Sequence, residues 1–317
     1  MQPERIVKSA KSTSLHVRVL VFGAGAIGSL VGGLLSIEND VTLVGREAHV
    51  NAINRRGLRI TGLTTRIAWP EAATEVPSHA PDVILVSTKA YDTARAVESL
   101  RAFRGRSMFA TLQNGLGNAE RLAANVERVI AGTTTHGVTF VAPGEIVHAG
   151  VGDTVVGPWK GLGSADVRSF AGALTAVGIQ TTVVEDVRRE LWAKAVMNAA
   201  INPLTAVMRR PNGALVAGVD LRFLLGRVAR EGVAAARAAG IDLDADVLAE
   251  RAADVASRTA DNRSSMLQDV ERGHRTEIDA ITGALLRVAS SHGMFLAYTH
   301  ALDALVRGLE MSLAPPV

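Results

Sequence analysis

Residues 17–28 read VRVLVFGAGAIG, and this stretch decides the fold class of the chain. Its first half is apolar and predicts a short buried strand, whereas residues 27–36 indicate a helix. The first glycine of the turn permits a tight bend, the second lets backbone approach a pyrophosphate, and the third lets the helix pack closely on the strand. The turn and the free N–H groups at the helix start therefore predict a dinucleotide site. Its cofactor-binding residues are Gly23, Gly25, Ala26, Ile27 and Gly28.

The same alternation of strand and helix continues through the first half of the chain. Strands are predicted at 41–44, 83–87 and 107–112, with helices at 47–56 and 93–100. Such alternation is typical of a parallel sheet with helices on both faces. A hairpin is predicted from residues 58–61 and 65–68, and the glycine-punctuated region 129–156 predicts an antiparallel extension of the sheet. A helix at 165–176 and a strand at 180–184 complete this domain.

Beyond Asp186 the sequence favours helices alone. Asp186 is a candidate N-cap for a helix at 190–200. Further helices are predicted at 219–239, 245–258, 264–272, 277–291 and 300–312. The sequence thus predicts an α/β N-terminal domain, of the doubly wound Rossmann type, at 17–186 and a second, all-α C-terminal domain at 187–317. Residues 1–16 are predicted to be a flexible N-terminal extension.

The composition of the 317 residues narrows the function classes. There is no cysteine, which excludes disulfides, thiolate catalysis and Cys-ligated metals. Aromatic residues are 4% of the chain and the formal net charge is +3, without dense basic runs, so nucleic-acid binding is disfavoured. No apolar run approaches a membrane span and the N-terminus lacks the apolar core of a signal peptide, so we expect a cytoplasmic protein without membrane contact. The eight histidines are dispersed and predict no metal site, and His136 is expected to be a hydrogen-bonding residue.

The end of the second strand bears on the choice of cofactor. Folds that bind NAD usually carry an acidic residue there, which binds the ribose hydroxyls. Here the strand 41–44 is followed by Gly45 and Arg46. A guanidinium can bind a 2′-phosphate through two hydrogen bonds, so Arg46 favours NADP(H). A solvated arginine at a strand end is the alternative, and Glu47 beside it leaves NAD open.

Two more polar residues follow strands, at the edge where ligands of such sheets bind. Lys89 comes after the strand 83–87 and could add positive charge near the same phosphate; a solvated loop lysine is the alternative. Asn114 follows the strand 107–112 and could orient the nicotinamide or the substrate, with neighbouring glycines that allow close approach. A simple Asn-Gly turn is the alternative here.

Residues 191–206, LWAKAVMNAAINPLTA, carry polar side chains on an apolar background. Lys194, Asn198 and Asn202 are four residues apart, which lines them along one edge of a helix. A lysine and two amides in this arrangement suit a small, oxygen-rich substrate. Two alternatives stay open: the lysine could extend to water, and Asn202 could be the N-cap of a helix that begins at Pro203.

A third polar cluster comprises residues 261–269, DNRSSMLQD, and residues 275–279, RTEID. Asn262 or Ser264 could cap a helix, and Glu277 could stand in the first turn of the next helix. Spacing alone does not bring Glu277 next to Lys194, so these residues by themselves do not define one site.

These stretches resemble the ketopantoate reductase (2-dehydropantoate 2-reductase) family over residues 17–312. The resemblance rests on GAGAIG, STKAYDT, LQNGLGN, AGTTTHG, LWAKAVMNAAINPLTA, RPNG, NRSSMLQDVERGHRTEID and ITGALLRVA. The glycine turn alone is generic, whereas the lysine–asparagine helix together with SSMLQD and RTEID is specific. The strand after TTTHG, VTFVAPGE, matches more loosely, and the N-terminal extension is not part of the pattern.

The resemblance implies an NADPH-dependent reduction of ketopantoate to pantoate, on the route to pantothenate and coenzyme A, in a cleft between a Rossmann domain and a helical domain. It implies that Lys194 is the catalytic lysine and general acid, and that Glu277 is the active-site glutamate. Arg46 and Lys89 fall on positions that select the 2′-phosphate of the cofactor. The substrate-contacting positions are Asn114, Lys194, Asn198, Asn202, Asn262 and Ser265.

Other interpretations of the same residues stay open. One is a related reductase of another 2-oxo acid or a β-hydroxyacid dehydrogenase, because such enzymes are also built from a Rossmann domain and a helical domain. A second is a non-catalytic module that senses NADP(H) and binds a protein partner, although the retained lysine and glutamate argue against it. The Ala-rich helices of the C-terminal domain could pack within the chain or form a homodimer.

Overall fold

The computed structural model describes residues 17–313, so the extension predicted at 1–16 lies outside the described residues. The strands are β1 (Arg18–Phe22), β2 (Asp40–Val44), β3 (Leu58–Gly62), β4 (Arg66–Ala68), β5 (Glu71–Ala73), β6 (Val83–Val86), β7 (Met108–Thr111), β8 (Val129–Thr134), β9 (Gly137–Ala142), β10 (Glu145–Gly150), β11 (Thr154–Lys160) and β12 (Thr181–Val183). The α-helices are α1 (Ala26–Leu35), α2 (Glu47–Arg56), α3 (Thr93–Ser99), α4 (Asn118–Ala123), α5 (Ser164–Ala176), α6 (Arg188–Met208), α7 (Val219–Ala238), α8 (Ala245–Arg258), α9 (Ser265–Glu271), α10 (Thr282–Ser291) and α11 (Ala297–Leu313).

Eight strands form the main sheet, in the order β12-β11-β8-β7-β6-β1-β2-β5. From β8 to β5 all neighbours in this order are parallel, while β11 runs antiparallel to β8. Successive residues of β1 pack on opposite faces of the sheet. Val21 shares a core with Leu30 of α1, and Leu20 shares another core with Val97 of α3. Because both faces are covered, the strands have continuous apolar sequences. The predicted doubly wound, Rossmann-type domain is therefore confirmed.

A second, four-stranded sheet has the order β4-β3-β10-β9. The predicted antiparallel extension of the main sheet over 129–156 is right for β11 and wrong for β9 and β10, which join the β3–β4 hairpin instead. The physical reason is burial, since Leu58 and Ile60 of β3 and Ile146 of β10 are fully buried in one core with α1. The short strand β5 is not predicted from the sequence, because its three residues, Glu-Ala-Ala, do not have the character of a strand.

Helix α6 is one continuous helix of 21 residues with Pro203 in its interior. The alternative in which Asn202 caps a new helix at Pro203 is therefore wrong. A proline inside a helix removes a backbone hydrogen bond and costs roughly 3 kcal/mol, but residues 199–206 are all buried and their packing outweighs this cost. The prediction of Asp186 as the N-cap is off by one residue, because Val187 is the N-cap of α6 and no side chain caps the helix from that position. The carboxylate of Asp186 nevertheless accepts the N–H of Arg188, the first residue of α6, at 2.9 Å.

The described residues after β12 form helices and no strand, as predicted for the C-terminal domain. Helix α6 contributes to the centre of their core, where Val196 is buried together with Leu225 of α7 and Leu285 of α10. The helix predicted at 277–291 is interrupted, since a 3₁₀ turn spans Ile278–Ala280 before α10 begins. None of the helices within residues 17–313 is long and apolar enough to cross a membrane.

Candidate functional site

The carboxyl ends of five parallel strands form one edge of the main sheet. In the spatial order β2, β1, β6, β7 and β8, these ends lead to Arg46, the glycine turn, Lys89, Asn114 and Thr134. Neighbouring strands lie about 4.8 Å apart, so this row is about 19 Å long. The chain leaves β1 towards β2 on one side and returns to β6 on the other, and ligands of such sheets bind at this switch point.

The glycine turn between β1 and α1 is tightly packed on its inner side. Gly23 has a φ of 111°, which favours glycine, and a Cβ there would lie 2.6 Å from the backbone N of Thr88. A Cβ at Gly28 would collide with the carbonyl of Gly23 and with Oγ of Ser87. A Cβ at Gly25, in contrast, would have no described heavy atom within 4 Å. The turn is therefore open at Gly25, where a phosphate can approach the backbone.

The N-terminus of α1 is suited to bind an anion. The helix begins at Ala26, so the N–H groups of its first turn, including that of Ile27, have no acceptor within the helix. Within the described residues no side chain caps this end, and the first turn has no acidic residue. The positive end of the helix dipole adds to the attraction for a phosphate. These residues thus fit the pyrophosphate of a dinucleotide.

Arg46 lies beside the glycine turn and is exposed. The N–H groups of Gly23 and Ala24 both donate to the carbonyl of Val44 at 3.0 Å, which ties the end of β2 to the turn. The intervening Gly45 is so close to the turn that a Cβ there would lie 2.8 Å from the Cβ of Ala24. Arg46 therefore stands at the end of the row where the adenosine half of a dinucleotide would bind.

Lys89 is engaged by two carboxylates of the C-terminal domain. Its Nζ lies 2.6 Å from Oδ2 of Asp269 and 3.7 Å from Oε2 of Glu277. Burial acts to lower the pKa of Lys89, but the charges of Glu277 and Asp269 outweigh burial and raise this pKa above its usual value. The alternative of a solvated loop lysine is therefore wrong. Contact between Lys89 and a 2′-phosphate stays a prediction.

Asp269 is a residue of this site that the sequence analysis did not single out. Its side chain is buried, at 7% exposure, and a buried carboxylate requires a partner. The signal available in the sequence is a lone acidic residue at the end of SSMLQD, within an amphipathic helix. Its partner Lys89 lies 180 positions away, and no local pattern reveals such a pair.

Glu277 is buried where the two domains meet. Its Oε1 accepts the N–H of Ala90 at 2.8 Å, next to Lys89 in the chain. Two residues before Glu277, the guanidinium of Arg275 lies 4.6 Å from the ring centroid of Tyr91. The segment that carries Glu277 thus docks on the loop after β6. The carboxylate joins the two domains, so the alternative of an ordinary first-turn glutamate is wrong.

Lys194 of α6 reaches the end of β8. Its Nζ donates to the carbonyl oxygen of Thr134 at 2.6 Å, and the residue is half-buried. Burial lowers the pKa of Lys194 to about 8, while the negative charge of Glu277 acts in the opposite direction. The alternative of a lysine that extends into bulk water is therefore wrong. An amine with this pKa can donate and regain a proton near neutral pH.

Asn198 and Asn202 follow Lys194 by one and two turns of α6. Residues at this spacing share one side of a helix, as the sequence predicts. Asn198 is half-buried and Asn202 is buried. The helix therefore carries a lysine and two amides along one side, and contact of the two amides with a substrate stays a prediction.

Asn114 lies in a loop that packs against the C-terminal domain. The N–H of Leu116 donates to the carbonyl of Ala280 at 2.8 Å. Gly115 has a φ of 81°, and a Cβ there would collide with the same carbonyl, so this position requires glycine. The loop is thus more than a simple Asn-Gly turn, because it forms part of the contact between the domains.

Asn262 and Ser265 lie at the start of α9 and are exposed. Ser264, rather than Asn262, caps this helix: its Oγ accepts a backbone N–H one turn along, at 3.1 Å, and lies 2.7 Å from Oγ1 of Thr205 in α6. Within the described residues neither Asn262 nor Ser265 hydrogen-bonds to Lys194. Their contact with a substrate therefore stays a prediction.

His136, between β8 and β9, has the hydrogen-bonding role that the sequence suggests. Its Nδ1 lies 3.0 Å from Nε2 of His148, and both rings are buried. Burial lowers the pKa of both histidines. In the part of the chain that the structure describes, no group of three or more His, Asp or Glu residues could hold a metal ion.

Comparison with known proteins decides the family. The sequence profile described as ketopantoate reductase PanE/ApbA matches residues 19–161, and the profile of the C-terminal part of the same family matches residues 186–310. The chain is 41% identical over 298 residues to the 2-dehydropantoate 2-reductase of Halobacterium salinarum, which covers 92% of this chain and 98% of that protein. The chain belongs to the ketopantoate reductase family.

Solved structures agree with this assignment. A PanE/ApbA family ketopantoate reductase from Ralstonia eutropha has 31% identity and a TM-score of 0.86, over 93% of this chain and 99% of that one. A D-mandelate dehydrogenase, solved with NADH and anilino(oxo)acetate, has 24% identity and a TM-score of 0.87 over 93% and 99% of the two chains. At that identity the second likeness shows the shared fold alone. The ketopantoate reductase fold therefore extends over both domains of the chain.

Proposed function

We propose that the protein is an NADPH-dependent 2-dehydropantoate 2-reductase, which reduces ketopantoate to pantoate in pantothenate and coenzyme A biosynthesis. One observation carries the proposal: the ammonium of Lys194 lies at the carboxyl edge of the sheet, in the same row of strand ends as the glycine turn. The negative charge of Glu277 acts to raise the pKa of this lysine. Relatives over more than nine-tenths of the chain carry the name of this activity, which supports the choice of substrate.

Lys194 and Glu277 have different roles in the proposed reaction. When bound, NADPH supplies the hydride that adds to the 2-oxo carbon. The negative charge that builds on the carbonyl oxygen is stabilised by the ammonium of Lys194, which donates its proton to that oxygen and is reprotonated from solvent. Glu277 favours the charged form of Lys194 before the transfer, because its negative charge raises the pKa of the lysine.

Binding of the 2-oxo acid is assigned to the amide and hydroxyl side chains. Asn198 and Asn202 follow Lys194 on α6, and Asn114 lies in the loop after β7. Amides both donate and accept hydrogen bonds, so they suit a substrate with a carboxylate and a hydroxyl group. Ser265 and Asn262 complete this proposed set from the start of α9.

The cofactor preference is assigned to Arg46. We expect Arg46→Ala to reduce the kcat/KM for NADPH by about 10–10²-fold relative to NADH, since a charge-assisted hydrogen bond is worth roughly 1.5–3 kcal/mol. The measurement is steady-state kinetics with both cofactors. Arg18→Ala is the matched control, because Arg18 pairs with Asp82 at the opposite end of β1. An unchanged preference in Arg46→Ala would remove Arg46 from the phosphate site.

The decisive experiment is an assay of NADPH oxidation with ketopantoate and with a panel of other 2-oxo acids. The proposal requires ketopantoate to have the highest kcat/KM of the panel. A higher value for another 2-oxo acid would assign the protein to a different reductase of the same build, such as a β-hydroxyacid dehydrogenase. NADPH binding without turnover of any of these acids would support a sensing module instead.

We also propose a homodimer that forms through the C-terminal helices. The exposed apolar side chains of Val219, Phe223 and Val247 on α7 and α8 support this. Light scattering of the purified protein tests it, and the mass of a single chain would overturn it. The domain boundary near residue 186, between β12 and α6, and a cytoplasmic location stay predictions.

A further inference from the structure

The last helix, α11, contacts the segment that carries Glu277 through one carboxylate. Oε1 of Glu310 accepts the backbone N–H of Thr276 at 2.6 Å and the hydroxyl of Thr276 at 2.7 Å. Thr276 is 2% exposed, while Glu310 is half-buried. One charged oxygen therefore satisfies two donors of a buried residue, and hydrogen bonds to a charged acceptor are strong.

Thr276 passes this restraint on to the backbone of Glu277. The hydroxyl oxygen of Thr276 also accepts the N–H of Ile278, at 3.1 Å. The residues on both sides of Glu277 thus belong to one hydrogen-bonded unit, which Glu310 anchors to α11. From this unit the Glu277 carboxylate extends to the loop after β6.

We propose that Glu310 is a positioning residue, which sets the place of the Glu277 carboxylate relative to Lys194 and Lys89 without touching substrate or cofactor. The inference rests on the proposed function, because the place of Glu277 matters only if Lys194 is the proton donor. Catalytic geometry depends on such support, and a misplacement of about 1 Å can cost roughly 10²-fold in rate.

Glu231 offers a matched control, because it also accepts hydrogen bonds from the N–H and the hydroxyl of a buried threonine. It is half-buried and accepts the N–H and the hydroxyl of Thr299, both at 2.8 Å, together with the N–H of Tyr298 at 3.1 Å. Glu231 holds the start of α11, whereas Glu310 holds the segment of Glu277. A purely structural role predicts the same kinetic outcome for loss of either carboxylate.

The test measures kcat and KM for ketopantoate, with saturating NADPH and across pH, for Glu310→Ala, Glu310→Gln and Glu231→Ala. We expect Glu310→Ala to lower kcat/KM for ketopantoate by about tenfold or more and to move the alkaline limit of kcat/KM to lower pH. Glu310→Gln should recover most of the loss, because its amide oxygen still accepts both hydrogen bonds. Glu231→Ala should lower the melting temperature and leave the pH profile in place.

Thr276→Val is the second variant, for the case in which Glu310→Ala does not fold. It keeps the shape of the side chain and removes the hydroxyl, so the same change of the pH profile is expected.

The outcomes separate this inference from the proposed function. If Glu277→Gln shifts the pH profile but the Glu310 and Thr276 variants behave like Glu231→Ala, then Glu310 is only structural and the inference is overturned. If Glu277→Gln itself has the kinetics of the unmodified protein, the proposed role of Glu277 fails, and the inference fails with it.

Discussion

Replacement of Lys194 by alanine is expected to lower kcat for ketopantoate by about 10²–10⁴-fold, the usual contribution of a positioned general acid. The ammonium lies at the carboxyl edge of β8, where its Nζ donates to the carbonyl of Thr134 at 2.6 Å. Alanine removes both the proton donor and the positive charge that stabilises the developing oxyanion. The loss should therefore appear in kcat, because both contributions act mainly in the transition state.

The affinity for NADPH should change little in this variant. The residues proposed for the phosphates are the glycine turn, Arg46 and Lys89, which follow β1, β2 and β6. At least two strand spacings separate the ends of these strands from the end of β8, which the side chain of Lys194 reaches. Fluorescence titration with NADPH measures this affinity directly. A weaker affinity accompanied by a normal kcat would place Lys194 in cofactor binding instead of proton transfer.

Lys160 provides the control for a lysine bonded to a carbonyl. Its Nζ donates to the carbonyl oxygen of Ala123 at 2.8 Å, and it is half-buried as Lys194 is. Its carboxylate partner, Glu127, is not one of the proposed site residues. Lys160→Ala should keep a kcat within about twofold of the unmodified protein, as expected for a substitution away from the site. A near-normal kcat in Lys194→Ala would show that the proton comes from elsewhere.

The sequence predicts most of the Rossmann-type domain because local rules dictate it. The glycine turn follows β1 and opens α1 as expected, since Gly23 needs a positive φ and Gly28 needs to be free of a Cβ. The predicted helices 47–56 and 245–258 agree with α2 and α8 residue for residue. In these elements the apolar periodicity and the residues typical of helix ends predict the same bounds.

Other features depend on contacts between distant parts of the chain. Whether β9 and β10 extend the main sheet or join β3 depends on the core in which Ile146 is buried. No local sequence pattern contains this information. In its local sequence Pro203 predicts the start of a helix, yet α6 stays continuous because the residues before and after Pro203, 199–206, are buried. The pair of Lys89 and Asp269 spans 180 positions, so the sequence places Lys89 at the right edge but does not reveal its partner.

The second large effect is expected from Glu277→Gln, which keeps the shape of the side chain and removes its charge. The amide oxygen can still accept the N–H of Ala90, so the contact between the domains survives. Lys89 loses one of its two carboxylate partners, and Lys194 loses the negative charge that raises its pKa. We expect kcat/KM for ketopantoate to fall by about 10–10²-fold, the range set by one interaction with a charged partner.

The pH profile of Glu277→Gln is expected to move in a defined direction. Lys194 donates a proton only when it is charged, so kcat/KM for ketopantoate should be highest below the pKa of Lys194, about 8, and decrease as pH rises through this value. Burial lowers this pKa and the charge of Glu277 raises it. Without that charge the pKa of Lys194 decreases further, so the decline of kcat/KM in Glu277→Gln should occur at lower pH.

Asp303→Asn is the control for the loss of a buried carboxylate. Asp303 is 8% exposed, close to the 7% of Glu277, and its partners Thr282 and Arg307 lie outside the site. Asp303→Asn should therefore destabilise the fold without moving the pH profile. If Glu277→Gln and Asp303→Asn give the same profile, Glu277 acts on stability alone. If the profile of Glu277→Gln moves to higher pH, the electrostatic coupling between Glu277 and Lys194 has the wrong sign, and the proton donor has to be sought elsewhere.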